Sequence, residues 1–166
     1  LNEENPYFSK FIDMLEKNNY KYEYKVLNAK DFGVAQNRKR LFLIATRLKK
    51  LNLSFDNIKK RNPIYLKDVI SHLEPIQHNN SSKRDILHRA KELNEINFKR
   101  IKATPLNGGL RSAWSEELRL PCHKVKESFH DNYGRLAWDK LSSTITTKFN
   151  QYYSGRFGHP EQDRAL

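Results

Sequence analysis

The sequence predicts a mixed α/β (α+β) fold, with the edge of an α/β sheet followed by a smaller and more irregular region. Three features near the start of the chain support this prediction. Residues 6–15 repeat apolar side chains at helical spacing, residues 20–26 alternate apolar and charged side chains, and residues 41–45 are continuously apolar. These patterns are typical of an amphipathic helix, a half-buried strand and a strand covered on both faces.

Each of these elements has local signals for its start and its end. Asn5 and Pro6 begin the helix, because asparagine caps a helix N-terminus and proline at the first helical position loses no hydrogen bond. The apolar stripe of the helix consists of Phe8, Phe11, Ile12 and Leu15. Asn18 and Asn19 favour a stop, since asparagine tolerates the left-handed conformation. The strand then places Tyr20, Tyr22, Tyr24 and Val26 on one face.

The composition of the sequence changes after Arg47. Residues 48–63 are polar and basic and are interpreted as a connector. Residues 66–73 predict a short amphipathic helix that ends before Pro75, and residues 83–97 predict a further helix. Residues 141–148 are rich in serine and threonine around Ile145, which favours a β-strand.

The composition indicates a polyanionic partner. The chain has 166 residues, with 31 Lys and Arg against 19 Asp and Glu, for a formal charge of +12. Such a balance suits nucleic acid, because each neutralised phosphate releases condensed counterions. A basic protein without a polyanionic ligand remains an alternative at this point.

Several classes of protein and site fit the composition poorly. The single cysteine, Cys122, excludes a disulfide framework and fits a reducing cytoplasm. Neither a signal peptide nor a run of 18 apolar residues is present, so we expect no membrane association. The histidines have no metal-binding spacing, so we expect no metal. Because the first residue is Leu1, we expect the chain to begin inside a longer protein.

The loop between the two predicted strands carries the candidate chemistry. Gly33 allows the loop to turn, and the apolar strand anchors its far end. Gln36, Arg38 and Arg40 alternate in sequence, so an extended chain projects them to one side. Three hydrogen-bonding side chains at a strand edge suit a planar polar ligand or a phosphate. The alternative is a basic strand start whose arginines lie in solvent.

Two segments resemble one enzyme family in the same order. Residues 28–45, Asn-Ala-Lys-Asp-Phe-Gly-Val-Ala-Gln-Asn-Arg-Lys-Arg and an apolar run, resemble the eighth conserved block of cytosine-5 DNA methyltransferases. Ala35 stands where that family usually has proline. Residues 133–147 and 155–166 resemble the close of the family's target-recognition domain and the start of its ninth block. Leu141 stands where proline is common.

The resemblance implies a reaction and roles for particular residues. Such enzymes flip a cytosine out of duplex DNA and methylate its C5 with S-adenosylmethionine as the methyl donor. It implies that Arg40 hydrogen-bonds O2 of the flipped base, that Arg38 supports the catalytic loop or the DNA backbone, and that Gln36 supports the flipped-out geometry. Thr144 and Ile145, with Thr146 beside them, would belong to the recognition face on the DNA.

Further DNA contacts are expected in the irregular region. Residues 97–128 contain seven Lys or Arg and three Glu, with aromatic residues interleaved, a mix typical of a DNA-facing surface. We therefore take Arg111, which follows the Asn107-Gly108-Gly109 turn, and Lys124 as DNA-binding candidates. Arg135, in the second resembling segment, is a further candidate. A solvated loop region is the alternative for any one of these residues.

The resemblance also divides the chain. Residues 1–47 would be the trailing edge of a Rossmann-like catalytic domain, 48–63 a connector, 64–155 the target-recognition domain, and 156–166 the start of the return to the catalytic domain. The family's Pro-Cys-Gln nucleophile loop, its Glu-Asn-Val tripeptide and its early glycine-rich turn are absent from this sequence. Cys122 follows a proline but precedes His123, and it lies far downstream of the nucleophile's expected place.

These features lead to a functional prediction. We expect the DNA-reading part of a DNA (cytosine-5-)-methyltransferase of bacterial restriction–modification, cytoplasmic and associated with the nucleoid, and inactive by itself. Its partners would be double-stranded DNA and the remainder of the catalytic domain, with the S-adenosylmethionine site largely outside this chain. The alternatives are the second subunit of a split methyltransferase and a non-catalytic basic DNA- or RNA-binding module.

Overall fold

The computed structural model describes residues 5–124 and 131–166. The chain divides into two compact units, Leu1–Pro63 and Ile64–Leu166. Within these residues, the first unit contains an α-helix and two strands, and the second contains two short α-helices in a largely irregular framework. The protein therefore has the mixed α/β composition that the sequence predicts.

Helix α1 (Pro6–Lys17) opens the first unit with the predicted cap. The Asn5 side chain accepts a hydrogen bond from the backbone N–H of Tyr7 at 3.0 Å. The helix ends at Asn18, and Asn19 adopts a left-handed conformation with φ of 56°. Phe8 is the buried residue of the helix, and its ring meets the ring of Tyr24 edge-on, with centroids 5.1 Å apart. Both predicted end signals are confirmed.

Strands β1 (Lys21–Asn28) and β2 (Lys39–Thr46) form a two-stranded antiparallel sheet. The register runs from the pair Lys21 and Thr46 to the pair Asn28 and Lys39. The expectation that residues 41–45 are covered on both faces is wrong for this chain. Phe42 and Ile44 are 50% and 39% exposed, because helix α1 packs on the opposite face of the sheet.

Residues 48–63 pack on the sheet of the first unit. Phe55 is buried, and its backbone N–H donates to the Glu23 carboxylate at 3.1 Å. Lys25 forms an ion pair with Asp56 at 2.7 Å. These contacts attach the stretch that the sequence predicted as a connector to strand β1. The assignment of the units to domains of a larger enzyme stays a prediction.

The second unit contains helices α2 (Leu66–Ile70) and α3 (Glu95–Ala103). Helix α2 confirms the short helix predicted before Pro75. The helix predicted for residues 83–97 is wrong over most of its length, since α3 begins only after Asn94, whose side chain accepts from the Asn97 N–H at 3.0 Å. Upstream, Ser82 Oγ accepts from two backbone N–H groups. Such local bonds favour a turn over a helix.

The predicted strand at residues 141–148 is also wrong. The segment is irregular and enters a turn at Thr147, with the N–H of Phe149 bonded to the carbonyl of Thr146 at 3.1 Å. Its β-branched residues supply propensity, but propensity alone does not make a strand without pairing and packing neighbours. The rest of the unit includes 3-10 turns at Arg111–Ala113, Glu116–Leu118, Pro121–Lys124 and Tyr152–Ser154.

An aromatic core holds the irregular unit together. Its buried residues are Leu93, Ile101, Trp114, Tyr133, Tyr152 and Ala165. The Thr104 hydroxyl lies at the centre of this core, 2.6 Å from the Tyr152 hydroxyl and 2.8 Å from the Trp114 indole nitrogen, which donates to it. Buried polar atoms are thereby satisfied inside the core, which fixes the ring positions without regular secondary structure.

Candidate nucleic-acid interface

A groove on the first unit carries two of the predicted functional arginines. Its volume is about 430 Å³, and it is lined by Leu27, Ala29, Phe32, Arg38, Arg40, Phe42, Phe55 and Ile58. Arg40 and Phe42 share one face of β2, because side chains two apart on a strand point the same way. Leu27 pairs with Arg40 across the sheet and so lies on that face too. The groove is therefore an apolar cleft with cationic side chains at its wall.

Asn28 holds the loop that leads into this groove. Its side-chain oxygen accepts from the N–H of Arg38 at 3.1 Å, and its amide nitrogen donates to Asn37 Oδ1 at 2.8 Å. The carbonyl of Arg38 accepts from the N–H of Ala29 at 2.9 Å. Gly33 makes the turn with φ of 78°, a conformation that favours glycine. The backbone on which Arg38 stands is thus fixed on both sides.

Arg38 and Arg40 are brought together, whereas Gln36 lies elsewhere. The Arg40 side chain is exposed, and its Nη1 donates to the carbonyl of Lys39 at 2.7 Å. Gln36 is half-buried and does not line the groove. A guanidinium beside an apolar wall can donate in a planar fork to a ring carbonyl or a phosphate. A site for a planar polar ligand at Arg38 and Arg40 stays a prediction.

Arg135 has a different environment from the one expected of a DNA-binding residue. Its side chain is fully buried, and it donates to the carbonyls of Ile101, Thr104, His159 and Gln162 at 2.8 to 3.0 Å. It also pairs with the Asp163 carboxylate. A guanidinium held in this way is not presented to a phosphate. We therefore correct the expectation for Arg135 to an internal structural role.

Arg111 is also buried, being 8% exposed, and it has interaction partners within the second unit. Its positive charge adds to burial in lowering the pKa of the nearby His123. The structure therefore does not place Arg111 on an open surface, contrary to the expectation of a DNA contact. The side chain of Lys124 lies outside the described residues.

The remaining recognition candidates lie on the irregular segment after Ser142. Thr144 is half-buried, Ile145 is 37% exposed, and Thr146 is exposed. Thr144 and Ile145 already have interactions within the protein. Ile145 and Thr146 are therefore the exposed members of the three, and a turn follows them at Thr147.

A second cavity, of about 670 Å³, lies in the second unit, and the sequence did not predict it. Three cations, Arg89, Lys91 and Arg164, line it together with His88. Arg164 is buried and donates to Gln162 Oε1 at 2.7 Å and to the carbonyl of Ala165 at 3.1 Å. Burial lowers the pKa of Arg164 to about 10. The cavity was not predicted because residues 83–97 were expected to form a helix. The serine at position 82, a residue type that favours turns, was the sequence signal against that helix.

Two further classes of site receive no support. Across residues 5–124 and 131–166, no group of three or more histidine, cysteine or acidic side chains could hold a metal ion. Within the same described stretches, no helix is long and apolar enough to cross a membrane.

Comparison with known proteins relates the chain to DNA methyltransferases. It is 38% identical over 161 residues to the Type II methylase M.HgiDII of Herpetosiphon aurantiacus, a match that covers 96% of this chain and 45% of the relative. It is 28% identical over 165 residues to the Type II methyltransferase M1.BsuMI of Bacillus subtilis, covering 96% of this chain and 36% of that relative.

A shorter match, 44% identical over 69 residues, relates it to the Type II methyltransferase M.MthTI of Methanothermobacter thermautotrophicus. That match covers 41% of this chain and 21% of the relative. The chain thus spans less than half the length of these relatives. Residues 1–166 match the family model described as C-5 cytosine-specific DNA methylase, and the chain belongs to that family.

Proposed function

We propose that this chain is the DNA-reading part of a DNA (cytosine-5-)-methyltransferase of a Type II restriction–modification system. The observation that carries the proposal is the family match over residues 1–166, together with the names of the relatives. The parent enzyme would transfer a methyl group from S-adenosylmethionine to C5 of a flipped cytosine. Its place would be with the bacterial nucleoid, in the cytoplasm.

The groove of the first unit supports the proposed handling of the base. Arg40 lies on a β-strand, and a strand holds a side chain more firmly than a free loop does. In the proposal its guanidinium donates to O2 of the cytosine, where a cation stabilises charge that develops on the ring as a nucleophile adds. Arg38, on the fixed backbone beside it, supports the same pocket. Gln36, outside the groove, would act on the DNA that surrounds the flipped nucleotide.

The groove of the first unit does not fit S-adenosylmethionine. The groove has no acidic side chain among its lining residues to hold ribose hydroxyls, and both positive-φ glycines, Gly33 and Gly108, lie outside any strand-to-helix turn. We therefore propose that the cofactor site lies largely outside this chain.

Binding of double-stranded DNA is supported by charge and by accessible recognition candidates. The formal charge of +12 favours a phosphate backbone as partner. Ile145 and Thr146 offer a methyl-rich, hydrogen-bonding surface for base edges.

The single cysteine of the chain, Cys122, lies exposed in a 3-10 turn of the second unit, and we assign it no catalytic role. The chain alone should therefore not methylate DNA.

Substitution of Arg40 in the parent enzyme, or in an enzyme reassembled from this chain and its remainder, tests the proposal. Arg40→Ala should slow single-turnover methylation at saturating DNA by roughly a hundredfold to a thousandfold, because the lost contact strengthens as charge builds on the ring. Lys60→Ala is the matched control, since Lys60 is an exposed cation of the same unit that does not line the groove.

The control variant should keep the single-turnover rate. The slope of the logarithm of its DNA affinity against the logarithm of salt concentration should fall by at most about one. A wild-type single-turnover rate for Arg40→Ala would show that Arg40 is only a surface cation. Methylation by the 166-residue chain alone would contradict the placement of the nucleophile and cofactor outside it.

A further inference from the structure

The loop of residues 82–88 presents an aliphatic pair to solvent. Ile86 and Leu87 are each 84% exposed, more than Tyr7 at 78% or Leu48 at 68%. Single exposed aliphatic side chains are ordinary on protein surfaces, but two adjacent ones at the tip of a loop are a candidate contact.

Hydrogen bonds hold the loop firmly at its base and at its tip. The N–H of Ser82 donates to the carbonyl of His88 at 2.8 Å, and the N–H of Ala90 donates to that of Asn80 at 2.8 Å. Ser82 Oγ accepts from the N–H of Asp85 at 3.1 Å. The Asp85 carboxylate accepts from the N–H of Leu87 at 2.9 Å. The exposed pair is thus carried on an ordered backbone, which limits the entropy lost on binding.

The surroundings of the pair are mainly cationic. Lys83, Arg84, Arg89 and Lys91 flank it in sequence against one adjacent carboxylate, Asp85, which accepts from the N–H of Leu87 within the loop. Leu87 lines the cavity that also contains Arg89, Lys91 and the buried Arg164. An apolar tip between cations is complementary to duplex DNA, in which stacked bases lie between two rows of phosphates.

We propose that the 82–88 loop is a DNA wedge, in which Ile86 and Leu87 insert between base pairs while the flanking cations hold the adjacent phosphates. Apolar side chains that enter a base step unstack it and bend the duplex, at a cost that the new contacts offset. The inference rests on the proposed function, since it requires that the chain bind DNA. A protein partner for the pair is less compatible with four flanking cations, which such a partner would have to neutralise.

Preference for a weakened duplex tests the wedge in the 166-residue chain. Two duplexes of one mixed sequence are compared by fluorescence anisotropy, one intact and one with a single abasic site that removes part of the unstacking cost. The chain should bind the abasic duplex about tenfold more tightly, which corresponds to about 1.4 kcal/mol of avoided unstacking. The double variant Ile86→Ser with Leu87→Ser should bind both duplexes equally.

Three further double variants separate insertion from general effects of substitution. Leu48→Ser with Leu51→Ser replaces an exposed aliphatic pair of the first unit and should keep the preference. Ile86→Leu with Leu87→Ile keeps apolar side chains at the tip and should also keep it, which shows that a loss in the serine variant is due to polarity. Lys83→Ala with Arg84→Ala should weaken binding to both duplexes alike. It should also reduce the slope of log affinity against log salt concentration by about two.

The outcomes distinguish this inference from the proposed function. Absence of any salt-dependent binding to duplex DNA would overturn both. Binding of the intact and abasic duplexes with equal affinity would overturn the wedge and leave the DNA-reading role intact. A serine variant that keeps the preference for the abasic duplex would assign the exposed pair to some other contact and would likewise overturn the wedge.

Discussion

Replacement of Arg135 by methionine removes the most heavily bonded side chain of the second unit while keeping much of its volume. The guanidinium donates to four backbone carbonyls, from Ile101 and Thr104 at the end of helix α3 and from His159 and Gln162 near the end of the chain. It also pairs with Asp163. The substitution therefore removes the hydrogen bonds that join Arg135 to two segments distant from each other in sequence.

The expected loss of stability follows from these contacts. A hydrogen bond to a charged group contributes about 1.5–3 kcal/mol, but bonds in one network do not add. Burial of the guanidinium costs several kcal/mol, and that cost disappears in the methionine variant. Loss of one partner of a buried pair typically destabilises by about 3–5 kcal/mol, because polar groups are left unpaired. We expect Arg135→Met to lower the free energy of unfolding by about that amount.

Urea denaturation followed by tryptophan fluorescence measures this change. Trp114 is buried in the core of the same unit and reports its unfolding. Arg156→Met is the matched control, because Arg156 pairs with the exposed Asp131, and an exposed pair contributes at most about 1 kcal/mol. A loss below about 1 kcal/mol for Arg135→Met, equal to that of the control, would refute the structural role argued for Arg135.

Three further predictions concern charge, pH and backbone. Binding of the chain to duplex DNA should weaken steeply between low and physiological salt, because phosphate contacts release counterions; a flat titration would contradict a DNA partner. Burial, with the charges of Arg164 and Arg135, lowers the pKa of His159 to about 3. The unfolded chain therefore takes up a proton below about pH 6.5 that the folded chain does not bind until about pH 3. Stability should fall by up to about 1.4 kcal/mol per pH unit between those two values. Thermal unfolding of His159→Asn, which keeps an acceptor for the N–H groups of Glu161 and Gln162, should lack this loss, and an unchanged pH profile would exclude His159 as its source. Gly33→Ala should destabilise the first unit by about 1 kcal/mol, since alanine strains at φ of 78°, and faster hydrogen exchange in strand β1 would report it.

The sequence by itself determined the elements whose causes are local. The Asn5 cap and the Asn18-Asn19 stop depend on neighbours within a few residues, and both appear in the structure. Strand β1 forms as predicted, but its predicted alternation is wrong at Val26, which is 59% exposed. The resemblance in residues 28–45 also identified the family, because the residues of that block are contiguous in the sequence. The pair Arg38 and Arg40 could be found in the same way, because a strand places alternate side chains together.

Only the tertiary structure decided which basic residues are available to a ligand and which hold the fold. Arg135 looks like any surface cation in the sequence, but its partners lie 24 to 34 residues away and become neighbours only when the unit is packed. Residues 83–94 have the spacing of a helix, yet the Ser82 and Asp85 side chains satisfy the backbone as a turn and leave Ile86 exposed. Burial and hydrogen-bond satisfaction are properties of the packed chain, so local propensity could not predict them.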